Sequence, residues 1–353
     1  MQVGGVRALV RRVALLLSAI ALLGADRAPV SGGLPLGYPP LAAPTANPPS
    51  PAKLELGRQL FFERRLSADG TVSCADCHKP ANGFSDVVPV SRGAFGRHGI
   101  RKTPSLLNVG YQPILMWDGR APDLERQIRF PLTGDNEMAM TEAAAVAALA
   151  GDARYPALFA AAFGDEAITV DRIGQAVATF ERGALLRSSA FDRFVFEGDA
   201  GAISAAAQRG WRVFQTKGCI TCHRFEGGNP LFTDFQFHNT GIGFDTKTPD
   251  FGRYNTTTKL EDHGKFKTPT LIGVAEHAPY MHDGRFQTLR QVIDYYDRGA
   301  TPNRFLDGQL KPLRLTETEK SDLVAFLKGL SPDSKPPDRD RQVVSATDGK
   351  NSN

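Results

Sequence analysis

All four cysteines of this 353-residue chain fall in two copies of one short pattern, Cys-Ala-Asp-Cys-His at 74–78 and Cys-Ile-Thr-Cys-His at 219–223. Two thiols one helical turn apart can form thioethers to the two vinyl groups of a haem. The histidine that follows then lies under the ring as an iron ligand. Cys74, Cys77, Cys219 and Cys222 are thus candidate attachment residues, and His78 and His223 candidate proximal ligands. A zinc ribbon needs its pairs only ~15–20 residues apart, and these pairs are far more distant. A thioredoxin-type disulfide needs a βαβ setting that is absent here. Structural disulfides fit an oxidising compartment but do not require a histidine after each pair.

A second duplicated feature positions those groups. Lys102–Ile128 aligns without gaps with Lys267–Ile293, sharing Lys-Thr-Pro, a Met before Asp-Gly-Arg, and the Leu and Ile that follow. The segments ahead of the motifs, from Gly57 and Gly210, match more loosely. The chain therefore reads as a tandem duplication with one haem per half. Its pattern is mainly α, with few alternating strand patterns. Residues 169–186 and 203–214 have helical apolar spacing, and Thr316 and Glu319 form a capping box.

On this shared frame the differences become informative. The stretch 281–300 offers four possible iron ligands, Met281, His282, Tyr295 and Tyr296. Met281 is matched by Met116 and His282 by Trp117, so both Met residues are expected to pack. Tyr296 is matched by Pro131, which has no side-chain donor. Tyr296 shares a helical face with Leu289 and Ile293 and should point inward, whereas Tyr295 lies about 100° round and should be structural. If this position faces the haem, the second iron gains a sixth ligand and the first stays open.

The remaining segments bound the protein. Arg7, Arg11 and Arg12 precede an apolar run that ends near Ala25, so 1–25 reads as a secretory signal peptide. The run is shorter than the ~20 residues of a spanning helix, and no other segment is expected to span a membrane. Removing 1–25 lowers the formal net charge from +4 to +1, which leaves no nucleic-acid footprint. Residues 26–51 read as a Pro/Gly-rich leader, 52–195 and 196–331 as the two haem domains, and 332–353 as a polar tail. Export with covalent haem points to a bacterial periplasm.

Together with both Cys-x-x-Cys-His motifs, the blocks "WDGRA", "PLTGDNEM", "FHNTGIG" and "APYMHDG" resemble, in the same order, the bacterial dihaem cytochrome c peroxidases and their MauG-type branch. The resemblance covers roughly residues 52–330. It implies two tandem class I cytochrome c-like domains, with a high-spin peroxidatic haem on His78 and a low-spin electron-transfer haem on His223. It places Glu137, Gln127 and Pro131 over the first haem, with Gln127 keeping Glu137 within reach, and Trp117 between the haems. Met138 and Met140 flank the acid. The second haem takes Met in the peroxidase branch and Tyr in the MauG branch, and Tyr296 stands at that position. Tyrosinate is a hard anion that favours high oxidation states, whereas Met raises the potential.

Two positions depart from the family pattern. Calcium is usual between the haems, held partly by an Asn where this chain has Lys102. A cation there works against calcium. The carbonyls of His277 and Pro279 remain as ligands, and the Lys102 ammonium is a candidate for the ion's place. The peroxidase branch also has a blocking His in the loop after the first haem. The match here falls near Ala94, and His98 lies close enough for a shifted loop, although it also reads as a surface residue. His238, fifteen residues after the second motif, is a candidate to orient a haem propionate or a loop.

The resemblance implies a peroxidase that takes hydrogen peroxide and electrons from a small donor such as a cytochrome c. A MauG-like oxidase of a protein substrate shares the peroxide step. A dihaem electron carrier is the third reading, against which Pro131 and Glu137 speak.

Overall fold

A computed structural model of the chain describes residues 34–225, 230–247 and 249–332. The signal-peptide segment 1–25 and most of the polar tail lie outside the described residues. Nine helices carry the discussion: α1 (Pro51–Phe61), α2 (Leu124–Gln127), α3 (Arg129–Thr133), α4 (Glu142–Ala150), α5 (Arg154–Phe163), α6 (Val170–Ala184), α7 (Ala205–Thr216), α8 (Leu289–Asp297) and α9 (Glu317–Lys328). Among the described residues one sheet is present, an antiparallel pair of β1 (Phe237–His238) and β2 (Phe266–Lys267) in register Phe237 to Lys267. The mainly α reading with tandem cytochrome c-like domains holds.

The helices start where side chains satisfy their free amides. Ser50 caps α1 ahead of Pro51, Thr169 caps α6, Ser204 caps α7, and Thr316 with Glu319 closes the expected capping box on α9.

Each half is built on one helix crossing. In the first, α1 crosses α6 so closely that a Cβ on Gly57 would lie 1.9 Å from the Ala176 carbonyl oxygen. In the second, α7 crosses α9 with the same 1.9 Å approach of Gly210 to the Asp322 carbonyl. Only a residue without a side chain lets two backbones meet this way. One turn on, Phe61 packs on Phe180 (5.2 Å between ring centres) and Phe214 on Phe326 (5.0 Å). These crossings fix the wall against which each Cys-x-x-Cys-His turn sits.

The leader lacks helix and strand from residue 34 to Ser50, as its composition implies, but it is docked. Buried Asn47 donates to Glu125 (2.8 Å) and to the Gln175 carbonyl (3.0 Å), and Lys53 Nζ donates to Asn47 Oδ1 (3.0 Å). Asn108 donates to the Tyr38 hydroxyl at 3.0 Å. Pro51 already belongs to α1. No helix of the described residues is long and apolar enough to cross a membrane.

Candidate functional site

One cavity of about 560 Å³ runs past both motifs and is lined by Cys74, Cys77, His78, Cys219, Cys222 and His223. The two histidines are set alike. His78 Nδ1 lies 3.0 Å from the Phe84 carbonyl and His223 Nδ1 2.9 Å from the Phe232 carbonyl. A carbonyl only accepts, so each Nδ1 carries the proton and each Nε2 keeps its lone pair for a metal. Phe84 and Phe232 both hold left-handed backbone (φ 53° and 56°), which turns their carbonyls toward the rings. Burial lowers the pKa of both imidazoles, His78 to about 4, keeping them in the ligating form. Two thiols and one free Nε2 per motif on the wall of one large, mostly apolar cavity fit two covalent haems.

Between the motifs the two repeats clasp each other. The Lys102 amide donates to the His282 carbonyl and the Lys267 amide to the Trp117 carbonyl, both at 2.7 Å. Trp117 Nε1 donates to the Lys102 carbonyl at 2.8 Å. The Trp117 ring meets His282 edge-on at 6.3 Å, and His282 stacks on Phe266 at 3.6 Å. Trp117 and buried His282 thus lie side by side, and both line the cavity. Met116 and Met281 share left-handed backbone (φ 70° and 72°), which starts the same Asp-Gly-Arg turn in each half.

Tyr296, Pro131, Glu137, Gln127 and Met138 all line the cavity, whereas Met140 does not. Burial pushes the Tyr296 phenol above its ordinary range, with Tyr295 and the Cys222 and Cys219 sulfurs adding to it. Those sulfurs place Tyr296 beside the second motif. Tyr295 is turned away as expected, donating to the Thr240 carbonyl at 2.7 Å and accepting from the Thr301 amide at 3.0 Å. Burial raises the Glu137 carboxyl, and Arg120 and Arg101 oppose the rise. Glu137 acts in turn on Cys77, which places it beside the first motif. A Cβ on Gly134 would sit 3.1 Å from Glu137 Oε2, and the Glu137 carbonyl accepts from Ala94 at 2.7 Å. The expected hold of Gln127 on Glu137 is not formed. The Gln127 amide instead donates to Met116 Sδ at 3.6 Å.

Three charged groups need the tertiary structure. Arg101 bridges Asp118 and Asp250 (2.6 Å each), and Asp118 also holds Arg120 at 2.9 Å. This network fixes the guanidinium groups that act on Glu137. The Asp-Gly-Arg turn signals Asp118 and Arg120, but nothing local signals Asp250. Lys102 is buried and its Nζ donates to Ser85 Oγ (3.1 Å) and to the Asp86 carbonyl. Lys267 instead donates to Gln112 at 3.0 Å. His277, which stands where Gln112 does in the repeat, lines the cavity with a buried Nε2 that has no partner among the described residues. That orphaned nitrogen also fits a haem carboxylate.

His98 is exposed, pairs across the loop with Arg92, and lies outside the cavity, whereas Ala94 is buried. His238 Nδ1 lies 2.6 Å from Asp307 and Nε2 2.9 Å from Asp234. Hydrogen bonding to Cys222 and to these two carboxylates pushes His238 up to about 10. Cys222, Asp234 and His238 together have the atoms of a metal site. A thioether at Cys222 removes that thiol and with it the largest cause of the shift, which leaves the His238 ring held between the Asp307 and Asp234 carboxylates.

The fold and the two matched Cys-x-x-Cys-His pockets define a two-haem c-type cytochrome. The chain belongs to the dihaem cytochrome c peroxidase and MauG family. The family described as di-haem cytochrome c peroxidase matches residues 51–201, and cytochrome c matches 207–331. It is 40% identical over 292 residues to methylamine utilization protein MauG of Methylorubrum extorquens, covering 81% of this chain and 80% of that one. It is 34% identical to cytochrome c551 peroxidase of Nitrosomonas europaea, covering 79% and 80%. A solved MauG-like protein associated with microbial copper homeostasis superposes with a TM-score of 0.77 at 34% identity, covering 87% of this chain and 97% of that one. The chain is therefore a haem oxidoreductase of the peroxidase class with two covalent c-type haems.

Proposed function

We propose that this chain reduces hydrogen peroxide at the His78 haem, with electrons relayed from the His223 haem. The matched pair Pro131 and Tyr296 on the walls of one cavity carries this reading. When bound, the haems supply peroxide cleavage and electron storage. Pro131, which has no side-chain donor, would leave the first iron accessible to peroxide, and the Tyr296 phenol oxygen would be the added ligand for the second iron. Glu137 takes a proton from the inner peroxide oxygen and returns it to the outer one, helping water leave. Its place beside Cys77 supports that role. Arg101 and Arg120, fixed on Asp118, favour its charged form. Gln127 lines the same face and Trp117 lies between the sites as the bridge for electrons.

Reduced donor protein such as a cytochrome c is the proposed reductant, and the protein works in the periplasm after loss of residues 1–25. Tyr296 specifically favours a second reading, a MauG-like oxidase acting on a partner protein. Lys102 takes the place of calcium between the haems.

Optical and EPR spectra of the ferric protein, with and without peroxide, test the assignment. One high-spin and one low-spin haem are expected, and Tyr296→Phe should abolish the low-spin signal. Two six-coordinate irons indifferent to peroxide would instead identify an electron carrier. Turnover with reduced cytochrome c separates peroxidase from protein oxidase.

A further inference from the structure

The matched helix crossings align the two haem walls residue by residue, and one position changes chemical character. Gly57 meets Ala176 and Phe180 as Gly210 meets Asp322 and Phe326. This alignment pairs Val177 with Leu323 and Glu181 with Leu327, and all four line the cavity. Three are aliphatic, and the fourth is a carboxylic acid.

Glu181 is 5% exposed. Among the described residues it has no hydrogen bond or ion pair, and the charges acting on it are those of its neighbour Arg182 and of Glu125. These two are engaged with each other at 3.0 Å. Asn47 also holds Glu125, at 2.8 Å. The first motif's Cys74 lies near enough to Glu181 to feel its charge, and its thiol is consumed by haem attachment. A carboxylate in such a place lacks the partners that offset desolvation. The group therefore rests as a neutral acid, its pKa raised by burial to about 8.

We propose that Glu181 compensates charge at the first haem. When one electron leaves that haem for the oxidant, an O–H bond of the Glu181 carboxyl breaks and the proton passes to water. One electron and one proton depart, so the net charge of the pocket stays constant. Reduction reverses both transfers. A unit charge close to the ring in a low-dielectric wall acts strongly on it, whereas Leu327 gives the second haem no such response. The proposal rests on the haem attached at Cys74 and Cys77, and not on which iron meets peroxide.

The test is spectroelectrochemical titration of each haem in the holoprotein across the pH range around 8, together with redox-difference infrared spectra. In the wild type the potential of the His78 haem falls with rising pH in this window, because the carboxylate favours the oxidised state. Oxidation also removes the C=O stretch of a protonated carboxyl. In Glu181→Gln and Glu181→Leu that part of the slope and that band are lost, while the second haem is unchanged. Glu181→Leu installs the residue that the second half already accommodates at this crossing, which guards against a folding failure. Glu137→Gln keeps the slope component, separating it from the acid beside Cys77. A wild-type slope in Glu181→Gln, no carboxyl band to lose, or loss of the component in Glu137→Gln would each overturn the proposal.

Discussion

The first half of the molecule sets Pro131, Glu137 and Glu181 around its part of the cavity, and the second half sets Tyr296 where the first has Pro131 and Leu327 where the first has Glu181. Everything that holds a haem is common to both: the Cys-x-x-Cys-His turn, the carbonyl on His Nδ1, the Phe under the crossing, and the Gly that lets the helices touch. The differences that change the chemistry of the walls include Pro131 against Tyr296 and Glu181 against Leu327. A duplicated scaffold thus separates the cost of folding from the choice of chemistry, and each half serves as the control for the other.

The largest expected effect breaks the comparison on the chemical side. Glu137→Gln should slow reaction with peroxide on the order of a hundred- to ten-thousand-fold in stopped-flow measurements, the range for loss of a general acid–base. The group must begin as the carboxylate to take the first proton. Burial raises its pKa, so the rate should fall as pH drops through a value above the ordinary carboxylate range. That acid limb should vanish in the variant.

The shared scaffold predicts symmetry. Gly57→Ala and Gly210→Ala each drive a methyl into a carbonyl oxygen that would lie 1.9 Å away. Each should cost at least ~1–3 kcal/mol, the usual range for overpacking, read by thermal denaturation. Unequal losses would mean that the two crossings are not equivalent. Tyr295→Phe removes the phenol from Thr240 and Thr301 and should cost about 1 kcal/mol. It should leave the low-spin spectrum intact, in contrast to Tyr296→Phe. The smallest effect concerns the region between the haems. Chelator treatment should leave spectra and peroxide rate unchanged, because the buried Lys102 ammonium already donates to Ser85 and Asp86. A spectral change restored by calcium would remove Lys102 from that role.

Much of the site was legible from local spacing. Cys74, Cys77 and His78 lie in one short turn, so their chemistry survives any question of fold. Tyr296 could be separated from Tyr295 because helical periodicity sets which face each occupies, and the repeat supplied the comparison with Pro131. Gln127 shows where that reasoning stops. It lines the cavity, but its hydrogen bond to Met116 was not legible, because it depends on which side chain arrives beside the amide. His238 gained an explanation only when Asp307, distant in sequence, closed on it at 2.6 Å.

The sequence by itself determined that two haems are attached, that one frame is used twice, and that the two copies differ at Pro131 and Tyr296. Those facts reside in covalent spacing and helical period, which are local properties of the chain. Only the tertiary structure decided that Lys102 and Lys267 clasp the opposite repeat, that Arg101 reaches Asp250, and that Glu181 faces a haem wall without a partner. Each depends on which distant backbone arrives beside it, and on what burial then does to a charge. No local pattern encodes either.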